Sequence, residues 1–396
     1  MTIDWASLTL FISSRYTAAV RAFRTEHPDQ DVYGVAAHDF YGEMGEVIAW
    51  PLIAVASEEG LDALTDGTGF ARSALRWSPA DWQFQVDPDA EAEAWAARVA
   101  AAAGDGSHWE ATYARYLRAF AEAAGTARGQ LVADGTVGGD FIVVAMDEAW
   151  ELVPLSVTKA QLERHFPELE EEARERERLA NLPVAERAAE LAAIVDAVTP
   201  SAIGTEEAMQ LLRGLGEAAV DVAVQRVSSS RKRWVWAKLL ADAGIDRADA
   251  VEALMSVMRS VEQSEPDRCW AAAALARLDH MDAVVAEASR LPRSVLKRGL
   301  AAPYTSFRDD AAVHPPLDYA PLEAALDAHP GLDAVMLEEL QPGSGYCTID
   351  ASEVETAMAA LDSPFEVVRR HARHVLEYAP LQPGQRERLA RVTGFG

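Results

Sequence analysis

Asp267-Arg268-Cys269-Trp270-Ala271-Ala272-Ala273-Ala274-Leu275 is the stretch that decides the fold of the C-terminal half. It places an Arg, a packing residue three positions later and a Leu seven positions later. Positions i, i+3 and i+7 lie on one face of an α-helix. The same pattern recurs as Arg233/Trp236/Leu240 and Arg369/Ala372/Leu376, and the Arg residues of the first two copies stand 35 residues apart. A weaker copy has Arg298 and Ala301, with Thr305 where Leu is expected. A repeat of this length over amphipathic helices predicts a helical solenoid, in which each repeat buries its apolar face only by stacking on the next.

Working outward, Val251, Leu254, Val257, Met258 and Val261 share one helical face, and Gly244 separates them from Leu239 and Leu240 on the helix before. Pro303, Pro315, Pro316, Pro321, Pro330 and Pro342 predict an irregular repeat over 303–342, with an inserted loop around Arg308–Tyr319. Upstream, Glu168 to about Val198 is a charged helical stretch, read as an acidic connecting helix over 166–200 that caps the first repeat. Before it, residues 1–165 mix element types. Asp4 caps a helix that stops at His27-Pro28. Asp31–Phe40 and Glu46–Ala56 read as a hairpin across Tyr41-Gly42-Glu43-Met44-Gly45. Glu58–Leu64, Ala90–Ala103 and His108–Val132 read as helices, and Trp82–Val86 and Phe141–Met146 as strands. Thr158 and Gln161 are the first and last positions of a capping box, opening a helix toward Phe166. The fold class expected is an α+β N-terminal domain over 1–165, followed by an all-α HEAT-like solenoid over 201–396.

The HEAT element of that expectation rests on Asp362, Val368, Arg369, Ala372 and Leu376. They resemble the second half of a HEAT repeat: Asp in the turn, Val-Arg, a small residue, then Leu one turn on. Asp267, Arg268, Ala271 and Leu275 resemble it less completely, and Arg233, Trp236 and Leu240 least, because Trp replaces the small residue. The resemblance implies a scaffold or binding surface. In the N-terminal part, Ala74-Leu75-Arg76-Trp77-Ser78-Pro79-Ala80-Asp81-Trp82 and Phe141-Ile142-Val143-Val144-Ala145-Met146-Asp147 resemble the bacterial domain of unknown function 4303 family. That resemblance implies no activity; the company of repeat modules implies immunity-type roles.

Composition narrows the partners. Lys+Arg number 36 and Asp+Glu 63, for a net charge of −27. The excess is uneven: −19 over residues 1–200 and −8 over 201–396. Such a field repels nucleic-acid backbones and anionic membranes and favours a protein partner with a basic surface, unless it serves solubility alone. Two cysteines, Cys269 and Cys347, form no disulfide framework and fit a reducing cytoplasm. No signal peptide and no apolar run of membrane-spanning length is read. We expect no cofactor.

Several clusters invite a functional reading. Arg76, Trp77, Asp81 and Trp82 have the composition of a recognition hot spot. The sharper reading is structural: Ser78 as N-cap, Pro79 at the first helical position, Asp81 as capping carboxylate, and Trp77 and Trp82 as a hydrophobic staple. That reading competes with a strand beginning at Trp82. Arg231-Lys232-Arg233 with Trp234 and Trp236 resembles the basic groove of HEAT-like DNA glycosylases, yet the cluster is isolated in an acidic half. His371, His374 and Glu377 fall at i+3 steps, which drift around a helix; with Arg370 and Arg373 beside them, packing is favoured over a metal. Gly135-Thr136-Val137-Gly138-Gly139 follows a helix and precedes a strand, the reverse of a phosphate-binding loop. His38, Asp39, Glu43 and Glu46 read as turn polarity or as an acid–base cluster. The expected function is a non-enzymatic protein-binding module, an adaptor or immunity-type protein. Trp234, Trp236 and the acidic Glu168 and Glu171 are candidate contact residues beside the 76–82 stretch. The alternatives are an enzyme with its site in the N-terminal domain or interdomain cleft, and a nucleic-acid repair factor.

Overall fold

The computed structural model describes residues 3–44, 47–104, 106, 108–340 and 345–393, without the side chains of 392 and 393. The chain divides into two compact units, Met1–Arg174 and Glu175–Gly396.

In the first unit the helix Trp5–Glu26 starts where Asp4 accepts a hydrogen bond from the Ser7 amide, and ends at His27, the residue before Pro28. Its buried face runs Leu8, Ile12, Tyr16, Val20, Phe23, the spacing of one helical stripe. The strands are β1 (Val32–His38), β2 (Gly42–Glu43), β3 (Val47–Ile48), β4 (Leu52–Ser57), β5 (Phe84–Val86) and β6 (Ile142–Ala145). Four of them form one sheet in the order β5-β4-β1-β6. β1 pairs antiparallel with β4, Val35 opposite Val55, and parallel with β6, Val35 opposite Val143.

Every residue of β1 is buried, because both faces of the sheet are covered. From Gly34 onward the period of two divides the side chains between two cores, and a register shift between Val32 and Gly34 puts Tyr33 on the same side as Ala36. Val35, Ala37, Ile53, Val55, Val143 and Ala145 pack with the helices Trp5–Glu26, Ala90–Ala103 and Trp109–Ala133. Tyr33, Ala36, Ala54, Ala56, Ile142 and Val144 pack with Trp77, Trp82, Leu162 and Phe166 on the opposite side. The result is a mixed sheet between two helical layers, an α+β arrangement.

The local expectations meet mixed outcomes. The Thr158–Gln161 capping box is present, opening the helix Lys159–His165. The hairpin is not direct. β1 stops at His38 because Asp39 turns the chain with a φ of 61°, and a separate β2–β3 ribbon intervenes before β4. Gly45 and Glu46 lie outside the described residues. At Trp82 the turn wins over the strand: Pro79–Asp81 is a single 3-10 turn, and β5 begins only at Phe84. Ser78 occupies the N-cap position without a side-chain cap bond, and its hydroxyl donates to Asp81 at 2.6 Å instead. The acidic stretch is two helices, Pro167–Ala180 and Val184–Val195. Pro183 stands at the N-cap of the second, where a missing amide hydrogen breaks continuity.

The second unit is helical and solenoid-like. Arg233–Ala243, Glu265–Arg277, Arg293–Ala301, Leu332–Glu339 and Glu366–Glu377 form a row in which each helix packs on the next. The repeated positions explain the row. Trp236, Ala271, Ala301 and Ala372 are all fully buried, as are Leu240, Leu275 and Leu376. The repeated Arg caps what comes before it. Arg233 donates to the Ser228 carbonyl at 3.3 Å, Arg268 to Met258 at 3.0 Å and Arg369 to Ser363 at 2.7 Å. These carbonyls stand at helix ends or turns, where the helix supplies no N–H donor of its own.

The Pro-rich segment carries two 3-10 turns, Ala302–Tyr304 and Ser306–Asp310, then a stretch without regular structure up to the helix Ala320–Ala328. Buried Arg308 anchors it, donating to the carbonyls of Pro315 (2.9 Å) and Thr348 (3.2 Å) and pairing with Glu353 at 2.5 Å. The stretch returns to an earlier helix end, where the Ala312 amide donates to the Asp242 backbone carbonyl. Gly244 is required there: its φ is 62°, and a Cβ would stand 1.9 Å from the Val313 carbonyl oxygen. Pro342 lies outside the described residues.

Candidate functional site

Across the repeat row an aromatic ladder reaches the surface. Trp234 is on the first helix of the row, Trp270 on the next, and Phe307 in the 3-10 turn after the third. The Trp234 and Trp270 rings are 6.4 Å apart and those of Trp270 and Phe307 5.5 Å. Trp234 is exposed, and Trp270 and Phe307 are half-buried. The Trp234 backbone is held by its neighbour in the row, its amide donating to Asp267 at 2.9 Å. Lys238 lies over the Phe307 ring at 5.7 Å, within the range of a cation–π contact.

Trp236 is not part of this surface. It is fully buried, and its indole N–H donates to Asp196 at 3.0 Å. The i+2 spacing of the two tryptophans places them on different helical faces. The ladder partners Trp270 and Phe307 escaped the sequence reading because no local spacing links positions 234, 270 and 307. The 35-residue repeat was the available signal, since it relates 234 to 269–270.

The basic cluster beside Trp234 is largely engaged. Lys232 donates to the Val195 carbonyl at 3.2 Å and Arg233 to Ser228, while Arg231 is exposed. Behind the ladder, buried Asp242 accepts from Arg213 (3.0 Å), Lys238 (2.8 Å) and Arg277 (2.9 Å). Burial pulls the Arg277 guanidinium below its ordinary value, against the opposing pull of Asp242.

The 76–82 stretch lies in the first unit's second core. Trp77 and Trp82 are buried, their rings 6.3 Å apart. Trp77 rests over Gly34, where an added Cβ would come within 3.3 Å of its ring. Arg76 forms a two-pronged pair with Glu58 (2.7 and 3.1 Å) and lies 4.2 Å from the centre of the Tyr33 ring. Its hydrogen bonds hold the Glu58 carboxyl below the usual range. Asp81 is exposed and bonded to Ser78. Trp77 and Trp82 pack into this core, while the helix cap read at Ser78 and Asp81 does not form.

His371 and His374 part company. His371 is buried; Tyr319 donates to its Nδ1 at 2.6 Å, and its Nε2 donates to the Tyr304 carbonyl at 2.7 Å. Both nitrogens are used, and burial pulls the imidazole down to about 4. His374 stacks on Tyr346 and pairs with Glu377 at 3.4 Å. Among the described residues no three His, Cys, Asp or Glu side chains are grouped to hold a metal. Cys347 sits 3.9 Å from His371, and burial pushes its thiol up to about 12, so it is protonated at neutral pH. Cys269 is half-buried. His38 bonds Gln85 at 3.0 Å, away from Asp39, which is exposed.

On the helix Pro167–Ala180, Arg174, Arg176 and Arg178 pair with Glu170, Glu207, and both Glu175 and Glu190. Glu168, Glu171 and Glu177 are exposed. No helix among the described residues is long and apolar enough to cross a membrane. Comparison with protein-family models, curated proteins and solved structures finds no match to the chain.

Proposed function

We propose that the chain is a non-enzymatic protein-binding module whose reading surface is the repeat row. The observation that carries this reading is the Trp234–Trp270–Phe307 ladder. Large aromatic side chains held on two successive helices and the 3-10 turn beside them supply contact area at low conformational cost, the composition of interface hot spots. The net charge of −27 and the exposed Glu168 and Glu171 favour a partner with a basic surface. Its Arg and Lys side chains would find aromatic faces to stack on. An adaptor or immunity-type role fits such a module.

The test is affinity purification from the native host with the wild-type chain and with Trp234→Ala/Trp270→Ala. A basic protein captured by the wild type and lost with the double variant supports the reading. Equal capture by both, or recovery of nucleic acid in place of protein, overturns it.

A further inference from the structure

The first unit contains a cavity of about 180 Å³ that the binding surface above does not use. It is lined by Phe23 at the end of the first helix, by the helix Glu58–Thr68 and by Phe84 at the start of β5. Protein interiors hold few voids larger than a water molecule. A pocket of about 150 Å³ is known to accept a benzene ring, so this one has room for one such ring.

Floor and rim differ in chemistry. Phe23, Val55, Leu61 and Trp82 form the floor, none of them more than 5% exposed. The polar side-chain groups beside them are engaged elsewhere. The Tyr33 hydroxyl donates to the Arg76 carbonyl at 2.9 Å. The Ser57 hydroxyl donates to Gln30 at 2.5 Å and accepts from the Gly60 amide at 3.0 Å. The Trp82 indole nitrogen is enclosed, out of reach of a water molecule, so Trp82 turns carbon atoms toward the cavity. A polar atom pushed to this floor would lose its water and meet no free side-chain partner, whereas an apolar one carries no such cost. The rim is polar: His27 and Gln30 are half-buried and Gln83 is exposed. A polar substituent held at that level keeps water around it.

The walls favour an aromatic guest over an aliphatic one. The Phe23 and Phe84 rings meet edge to face at 5.2 Å and 89°. Tyr33 and Trp82 meet at 6.0 Å and 81°. All four line the cavity. A ring entering among them gains edge-to-face contacts that stabilise beyond the area buried.

We propose that this cavity is a binding site for single-ring aromatic compounds, taken up ring first, with any polar substituent left at the rim. The ring alone is what the site reads. The site is independent of the partner surface on the repeat row and stands if that reading fails.

Benzyl alcohol is the probe, and cyclohexylmethanol is its counterpart with the same carbon skeleton, the same hydroxyl and no aromatic ring. Binding is followed in the full chain by the methyl resonances of ¹³C-labelled leucines, with Leu64 assigned from its absence in Leu64→Trp. Benzyl alcohol is expected to shift Leu64 saturably, with Kd on the order of 1 mM. Cyclohexylmethanol is expected to bind at least about threefold more weakly, the size of an aromatic-pair preference. Leu64→Trp adds volume at a half-buried wall position. By ligand-observed NMR it is expected to weaken both alcohols at least about tenfold. Phe84→Leu, a second arm should Leu64→Trp fold poorly, is expected to narrow the preference for benzyl alcohol. No shift with benzyl alcohol up to about 10 mM, or unchanged binding to a folded Leu64→Trp, overturns the site. Equal binding of the two alcohols, or a preference unchanged in Phe84→Leu, overturns the ligand class.

Discussion

His371 shows how one residue takes its meaning from its surroundings. Its sequence neighbours, with His374 and Glu377 at i+3 steps, invite a metal reading; its position buries it between Tyr304 and Tyr319 with both ring nitrogens occupied. The consequence is a pH dependence. An unfolded His titrates near 6.5, and the folded one is pulled down to about 4. Between those values the unfolded chain binds the proton more readily, so stability falls as pH drops from about 6.5 toward 4. The span corresponds to roughly 3 kcal/mol. Urea midpoints measured from pH 7 to pH 4 for the wild type and His371→Phe check this. The expected result is a shallower loss in the variant; parallel curves would remove His371 as the cause.

At the scale of elements, the repeat is held by a device the sequence pattern displays without explaining. The recurring Arg closes the preceding turn through a carbonyl, and the recurring Ala lets adjacent helices approach. Arg268→Met keeps most of the aliphatic stem and removes the donor to the Met258 carbonyl. A buried carbonyl left unpaired costs about 1–3 kcal/mol. Chemical denaturation should show a loss of that size with an unchanged m-value. A stability equal to wild type would mean that the carbonyl finds another donor. The Trp82–Val86 segment teaches the opposite lesson. Its alternation reads as a strand from Trp82, yet Pro79 and the Ser78–Asp81 bond stabilise a turn that delays β5 to Phe84.

For the whole molecule, charge is the property that acts at a distance. A net charge of −27 accelerates encounter with a cationic partner and is screened by salt over about 10 Å at 0.1 M. Glu168 and Glu171 are exposed, so reversing both to Lys should alter the thermal midpoint little. Association with the captured partner should slow, and its salt dependence should flatten, while dissociation changes less. Stopped-flow measurements at two ionic strengths decide this. A rate indifferent to both salt and reversal would leave the acidic field as a solubility device.

What the sequence determined by itself is what depends on local periodicity and caps. The Asp4 cap, the Thr158–Gln161 box, the helical character of the second unit and the buried identity of Ala271, Leu275, Ala372 and Leu376 all follow from spacing of 3.6 residues and from side chains that bond their own backbone. What only the tertiary structure decided depends on residues far apart in the chain. Trp234, Trp270 and Phe307 meet because their elements pack together. Phe23 and Phe84 meet because the end of the first helix stands beside β5. Val313 demands a glycine at 244 because the Pro-rich stretch returns to an earlier turn. No one-dimensional pattern encodes such meetings. They are set by how volumes fill around each core, and a side chain becomes surface, wall or core only once its distant neighbours have taken their places.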